Sequence, residues 1–339
     1  MTKTWIYSAT LMALTAGSLG AQSRGEQQQP NWPTPDVAPV SITCEECPYP
    51  YPSKYLPLTL YGQDVRMAYM DVSPRGTPNG HTVMIFHGNN FAGFYFGNMA
   101  EALRDEGFRV IIPDQMGYGR SSKPIIPYGL SDFARNTRAV LEAEGLDRAM
   151  VIGHSMGGML AARFASLYPE VTEKLVIYNP IGLSDGRFGR PPGDIEASYR
   201  RNLEGTDFQS VKGGLMRYVA HDPSAWNDTF ERYAEVRYGW TLGAEWPRLA
   251  MVQVLISSII SSDPVVYDWP HIQAPTLVFG GAEDYLAGTP ANFQALMRRV
   301  AETVPNGELH LIPGLGHVPH IEAPEQTIPP LLDWLKAGI

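Results

Sequence analysis

The chain has 339 residues, 44% of them hydrophobic and 18% charged, with a formal net charge of -9. That balance fits a globular protein with a substantial core and excludes a largely disordered chain. It also argues against a nucleic-acid partner, because phosphate binding needs a positive face; the Arg pairs of "LMRRVAE" and "ASYRRNL" read as solvated helix faces.

Residues 1–20 read as an export leader. Lys3 supplies a positive start, "TWIYSATLMALTAGSLG" is an apolar stretch too short to span a bilayer comfortably, and "SLGA" offers small residues for cleavage after Gly20. A cytosolic helix and a retained anchor are the alternatives. No later segment has the roughly 18 uninterrupted apolar residues of a membrane span. A periplasmic or secreted protein, with no stable membrane insertion after leader removal, is therefore expected.

Residues 21–54 form a Pro-rich arm holding the chain's two cysteines, Cys44 and Cys47, in "SITCEECPYPYP". A C-x-x-C pair can be a disulfide, a redox catalyst or half a zinc site. Zinc would need further Cys or clustered His ligands, and none is near. A redox pair would open a helix within a βαβ unit, whereas prolines flank this one. In an oxidising compartment a local disulfide is favoured. Its ring is small, so it pins the arm rather than holding the fold together.

From Tyr55 strand and helix signals alternate. "VRMAYMDV" alternates as a half-exposed strand, and "HTVMIFHG" is a continuous apolar run suited to a strand buried on both faces. "YFGNMAEALRDEG" has helical periodicity with a glycine stop. "FRVIIPD" is a strand, "LSDFARNTRAVLEAEG" a helix with Ser131 as N-cap, "RAMVIG" a strand, "MGGMLAARFASLYP" a helix and "EKLVIYNP" a strand. This order predicts a mostly parallel central sheet flanked by helices. Between Asn179 and Gln273 the pattern turns helical, in "DIEASYRRNLEG", "VKGGLMRYVAHD", "NDTFERYAEVRYGW" and "EWPRLAMVQVLISSI". Sheet signals resume at "APTLVFGG" and "GELHLIP". The helical block, residues 183–270, reads as a lid inserted after the sixth strand of a core comprising residues 55–182 and 271–339.

The stretch Gly153-His154-Ser155-Met156-Gly157 lies where a buried strand turns sharply into a helix. Such a turn presents the serine on strained backbone and leaves no room for side chains two positions away, hence the glycines. The hydroxyl then sits at a helix N-terminus, where free amides favour developing negative charge. A serine nucleophile needs a base, and the base an orienting acid. Glu283 and Asp284 follow one late strand; His317 and His320 follow the last. All four fall at C-terminal strand ends, where open parallel sheets collect their chemistry.

Together "FHGNN", "PDQMGYGRSSKP", "GHSMGG", "LVFGGAEDYL" and "GHVPHIEAPE" resemble the α/β-hydrolase superfamily, over nearly the whole chain from Tyr55. The resemblance implies an α/β-hydrolase fold with Ser155 as nucleophile, His317 as general base and Asp284 as the acid, leaving Glu283 as rival acid and His320 as a structural histidine. It implies an oxyanion hole of the Asn89 and Met156 amides, with Asn90 the alternate, and structural roles for His87, His154 and Asp114. Haloalkane dehalogenases and epoxide hydrolases of this superfamily carry aspartate at the nucleophile position; this chain has serine, which counts against their chemistry.

The implied reaction is hydrolysis of a carboxylic ester of a small, hydrophobic or aromatic molecule through an acyl-enzyme. C–C bond hydrolysis, lactone opening or perhydrolysis with the same triad is the alternative, and a non-catalytic binding protein a third. No cofactor is implied, and neither H-E-x-x-H nor a phosphate-binding G-x-x-x-x-G-K-[ST] occurs. Tyr178, Phe94, Trp226, Tyr238 and Trp240 are expected to contact substrate, with Trp246 and Met251 as further wall candidates and Arg248 as a possible carboxylate partner. The sequence leaves the oligomeric state open.

Overall fold

The computed structural model describes residues 31–188 and 193–339; the leader expected over residues 1–20 lies outside the described residues. Apolar runs build the centre of the sheet. β3 (Thr82–Phe86), β5 (Ala149–His154) and β7 (Thr276–Gly281) are buried at every position, as strands covered on both faces must be. With β1 (Ser53–Leu60), β2 (Gln63–Val72), β4 (Arg109–Pro113), β6 (Thr172–Tyr178) and β8 (Gly307–Ile312) they make an eight-stranded sheet in the order β1-β2-β4-β3-β5-β6-β7-β8. β2 pairs antiparallel with both β1 and β4. From β4 to β8 every pairing is parallel.

α1 (Gly97–Asp105) packs with α10 (Pro324–Lys336), and α2 (Leu130–Ala143) with α3 (Met156–Leu167). α8 (Pro290–Thr303) lies on β7 and β8. β1 went unforeseen because Pro57 interrupts it; an edge strand tolerates proline, since one side of its ladder is unpaired. Ser131 does not cap α2. The N-cap is Gly129, and the Leu130 amide donates instead to Asp263 Oδ2 at 2.8 Å. Ser131 Oγ accepts from Arg163.

Between β6 and β7 the described residues hold α4 (Ile195–Gly205), α5 (Phe208–Met216), α6 (Asp228–Thr241) and α7 (Trp246–Ser262), with no strand. Short polar side chains start three of them: Asp194 caps α4, Asp207 forms a capping box with Ser210 on α5, and Asn227 caps α6. α4 packs on α7 and α5 on α6. Arg163 of α3 clamps the exit of this insertion, bonding Asp263 at 3.1 Å and Asp268 at 3.0 Å. Among the described residues no helix is long and apolar enough to cross a membrane.

From Pro33 onward the arm belongs to the packed unit Pro33–Ile339. The Val40 amide donates to the Gly239 carbonyl of α6, Tyr49 donates to Asp114, and a disulfide joins Cys44 to Cys47.

Arg109, in β4, meets Asp71 of β2 through two bonds of 2.8 and 2.9 Å and also pairs with Glu144. Lys54 reaches both carboxylates, and Tyr69 donates to Glu144. Burial pushes both carboxyl pKa values up. Hydrogen bonds from Arg109 and Lys54 to Asp71, and from Tyr69, Lys54 and Arg109 to Glu144, outweigh it and hold both below their usual range. Unfolded carboxylates titrate near pH 4, so this contribution is complete above that value and is lost as pH falls through the lower folded values. The urea midpoint is therefore expected to drop on acidification below about pH 4, and to drop less steeply in Arg109→Gln. Equal slopes in the two proteins would contradict this reading.

Candidate active site

Ser155 stands between the end of β5 and the start of α3 with φ 59° and ψ -120°. L-residues avoid this region unless the surroundings enforce it. Here Ser155 N–H donates to the Tyr178 carbonyl at 3.0 Å, while the Ser155 carbonyl accepts from Gly158 and Ile181. A Cβ on Gly157 would overlap the Phe86 carbonyl oxygen, and one on Gly153 would lie 2.5 Å from Ala161 Cβ. A methyl at either position would push strand and helix apart. Ser155 is 5% exposed, so its hydroxyl meets little solvent.

The loop after β3 crosses above it. A Cβ on Gly88 would sit 2.8 Å from Ser155 Cβ, so Asn89 follows directly from a backbone in contact with the serine. Met156 is the first residue of α3, and its amide has no carbonyl one turn back to bond. Amides at these two places suit a developing oxyanion. The side chains of Asn89 and Asn90 are engaged elsewhere. Asn89 accepts from Tyr118 and donates to Ser257, and Asn90 donates to Tyr218.

His317 and Asp284 are brought together. Nδ1 of His317 lies 2.6 Å from Asp284 Oδ2, with both side chains buried. Asp284 also accepts from the Leu286 amide at 2.8 Å and from Asn179 Nδ2 at 3.0 Å. Burial raises its pKa, but the His317 ring and these donors more than compensate, so the carboxyl is held below its ordinary value. An ionised Asp284 can only accept, so Nδ1 carries the proton. Nε2 of His317 is then the bare nitrogen, and it is buried without a partner. Glu283 is only partly buried and takes no part in this contact.

Sequence reasoning missed the residues that hold the His317 loop. Asn179, at the end of β6, has φ 36°. Its side chain accepts from Gly281 N–H and donates to Asp284 and to the Gly316 carbonyl, linking the two loops. Glu322 accepts from the amides on either side of His317, Gly316 at 2.9 Å and Val318 at 3.1 Å. His154 Nε2 meets the His317 carbonyl at 2.7 Å. A carbonyl can only accept, so the proton is on Nε2 and His154 Nδ1 accepts from Tyr95 O–H, 2.7 Å away. Tyr95 in turn accepts from Gly88 N–H. Burial, reinforced by the neighbouring His317 and His320 rings, drives the His154 pKa well down, which keeps this chain neutral. The one clue in sequence was the polar "YNP" at the end of an apolar strand.

His87 Nε2 accepts from Gln115 N–H, and its Nδ1 reaches the Gly88 carbonyl. Asp114 accepts from Gly93 N–H, Tyr49 and Arg120 N–H. His320 stacks on Phe96, and burial lowers its pKa to about 3.

A cavity of about 620 Å³ adjoins the Asn89 loop, its walls drawn from the core, the arm and the helical insertion. It includes Asn89, Asn90, Tyr118 and Trp240, but neither Ser155 nor His317 forms part of its wall. Of the expected substrate contacts, Trp240 alone lines it. The others do not line it. Tyr178 is fully buried and its hydroxyl is bonded to His320. Phe94 packs on Tyr49 and Tyr233, Trp226 stacks on Phe230 and donates to Glu231, and Tyr238 packs on Phe208. Tyr178 and Phe94 are buried in the protein's own interior, while Trp226 and Tyr238 are half-buried against these neighbours. Trp246 and Met251 are likewise outside the wall, and Arg248 donates to the Lys123 carbonyl.

Two substitutions test this geometry. Asp284→Asn is expected to fold normally yet slow fluorophosphonate labelling of Ser155 by about three to four orders of magnitude, because an amide favours the wrong imidazole tautomer. Asn179→Ala, which loosens the loops without touching either ring, should slow labelling by about 10-fold, the cost of one charged hydrogen bond. Labelling rates unchanged in both would contradict the arrangement.

Comparison with known proteins agrees with the fold. The family model for the Alpha/beta hydrolase family matches residues 83–329. The crystal structure of a probable hydrolytic enzyme from Pseudomonas aeruginosa PAO1 is 37% identical, covers 88% of this chain and 99% of its own, and superposes with a TM-score of 0.82. A poly(3-hydroxyalkanoate) depolymerase of Ectopseudomonas oleovorans is 30% identical over 85% of this chain and 94% of its own length. A 2-hydroxy-6-oxononadienedioate/2-hydroxy-6-oxononatrienedioate hydrolase of Burkholderia vietnamiensis is 27% identical over 84% of this chain and 96% of its own. The chain belongs to the alpha/beta hydrolase family.

Proposed function

We propose that the protein is a serine hydrolase that cleaves a carboxylic ester of a small molecule through an acyl-enzyme. The observation that carries this reading is the His317–Asp284 bond of 2.6 Å, which leaves Nε2 of a buried imidazole without a partner. Ser155 Oγ attacks the substrate carbonyl carbon as its proton passes to Nε2. The carbonyl oxygen becomes an oxyanion beside the Asn89 and Met156 amides, where loss of one donor costs about 2.7–4 kcal/mol. Collapse breaks the ester bond, and the departing alkoxide takes the proton from His317. Water, deprotonated by the same nitrogen, then releases the acid and restores Ser155. The helices between β6 and β7 act in this reading as a lid.

A second reading uses the same three residues to hydrolyse a C–C bond in a diketone-like compound or to open a lactone. It is favoured by the name of the Burkholderia vietnamiensis relative. A substrate panel separates the two. Short-chain p-nitrophenyl esters should give a burst of p-nitrophenol and a covalent fluorophosphonate adduct on Ser155, both abolished in Ser155→Ala. No adduct on folded protein would end both readings, and turnover of a vinylogous diketone without simple esters would leave only the second.

We also infer export to an oxidising compartment. The Cys44–Cys47 disulfide supports this, together with the leader-like residues 1–20. A thiol assay on protein recovered from outside the cytoplasm should find no reactive thiol before reduction and two afterwards; two at the outset would overturn the inference.

A further inference from the structure

The cavity beside the Asn89 loop has a charge imbalance. Lys123 and Arg237 stand in its walls, and among the described residues no carboxylate does, although the chain as a whole carries -9. Lys123 is already satisfied. Its Nζ donates to the carbonyls of Tyr118, Gly119 and Ser121 at 3.1, 2.5 and 2.5 Å, which uses all three donors. Burial lowers its pKa to about 7.

Arg237, on α6, has no such arrangement. Its Nε is buried without an acceptor. Burial depresses its pKa, and the titratable groups that oppose this are Tyr218 and Tyr118 rather than an acid. Arg237 is half-buried, with its Nε shielded from water, and a guanidinium partly desolvated without a counter-charge is costly unless something else supplies one. Nothing among the described residues does so.

The position of Arg237 relates it to the chemistry. Tyr118 donates to the Asn89 side chain, and Tyr218 accepts from the Asn90 side chain. These asparagines follow Gly88, which lies against Ser155. The uncompensated cation thus shares one cavity with the loop above the nucleophile. Trp240, one helical turn from Arg237, faces the same space, and Ser257, Ser258 and Ser261 of α7 add a hydroxyl-rich wall.

We propose that Arg237 anchors a carboxylate carried by the substrate at a distance from the bond being broken, so that the enzyme acts on an anionic acyl compound such as the monoester of a dicarboxylic acid. One guanidinium with its fork unoccupied matches one carboxylate. Lys123, with its donors taken, contributes positive potential and no direct bond. The proposal rests on the hydrolase reading above, and it adds a carboxylate to the expected small hydrophobic or aromatic substrate.

The test compares mono-p-nitrophenyl glutarate with its neutral methyl ester, measuring kcat/KM for each with wild type, Arg237→Gln and Arg237→Lys. Wild type is expected to prefer the anion. In Arg237→Gln the anion-to-neutral ratio should fall about 10- to 100-fold, the scale of a charged hydrogen-bonded contact, mainly through KM. Arg237→Lys should retain part of the preference, and it decides the matter if the glutamine variant does not fold. A ratio unchanged in a folded variant would overturn the proposal. Turnover of neither ester by wild type would count against the ester reading alone; isothermal titration with glutarate then decides, with binding to wild type, weaker binding to Arg237→Lys and none to Arg237→Gln supporting the anion site, and no binding to wild type refuting it.

Discussion

A buried imidazole can act as a base only when one nitrogen is committed and the other is left bare. The surroundings of His317 enforce that division. Asp284 accepts a hydrogen bond from Nδ1–H, and the carboxylate keeps its charge in a buried place because Leu286 and Asn179 also donate to it. The loop carrying His317 is fixed at successive peptide groups. Glu322 holds the amides before and after the histidine, Asn179 and His154 bond the carbonyls of Gly316 and His317, and the His317 amide donates to the Tyr218 carbonyl. Preorganisation of this kind means that little rearrangement is needed when charge develops.

The same contacts couple parts of the site that are distant in sequence. From Gly88 N–H through Tyr95 and His154 to the His317 carbonyl runs one directed line of hydrogen bonds. Its direction is set by its two ends, the Gly88 amide that can only donate and the His317 carbonyl that can only accept. His154 thereby ties the Gly88 loop to the His317 loop and directly precedes Ser155. Burial keeps its ring neutral, so the line has a single polarity at ordinary pH.

Much of the centre was legible in sequence because strand, turn and helix chemistry is local. Apolar runs such as "TVMIF" and "TLVFGG" announce strands buried on both faces, and the glycines around Ser155 announce a close crossing of backbones. Glu283 and Asp284 could not be separated by spacing from the strand alone. The family pattern favoured Asp284, and folding buries it against His317 while Glu283 stays partly exposed. Asn179, Glu322 and Arg237 were illegible for a different reason. Each acts on groups far away in the chain, and nothing local distinguishes it from an ordinary polar residue.

The aromatic residues show the same limit from the other side. Phe94, Trp226, Tyr238 and Trp240 are all aromatic, yet the first three pack on other aromatic rings of the protein and only Trp240 meets the cavity. Core and cavity wall demand the same apolar surface, so helical periodicity cannot tell them apart. Ser131 is a comparable case, since the acceptor for the first amide of α2 comes from Asp263, at the end of the last helix of the insertion.

The central claim concerns where protons sit, and 15N NMR of histidine-labelled protein reads that directly. The account predicts His317 in its resting form with Nδ1 protonated and Nε2 bare, and His154 with the opposite tautomer. A His317 ring protonated on Nε2 with Nδ1 bare would contradict it.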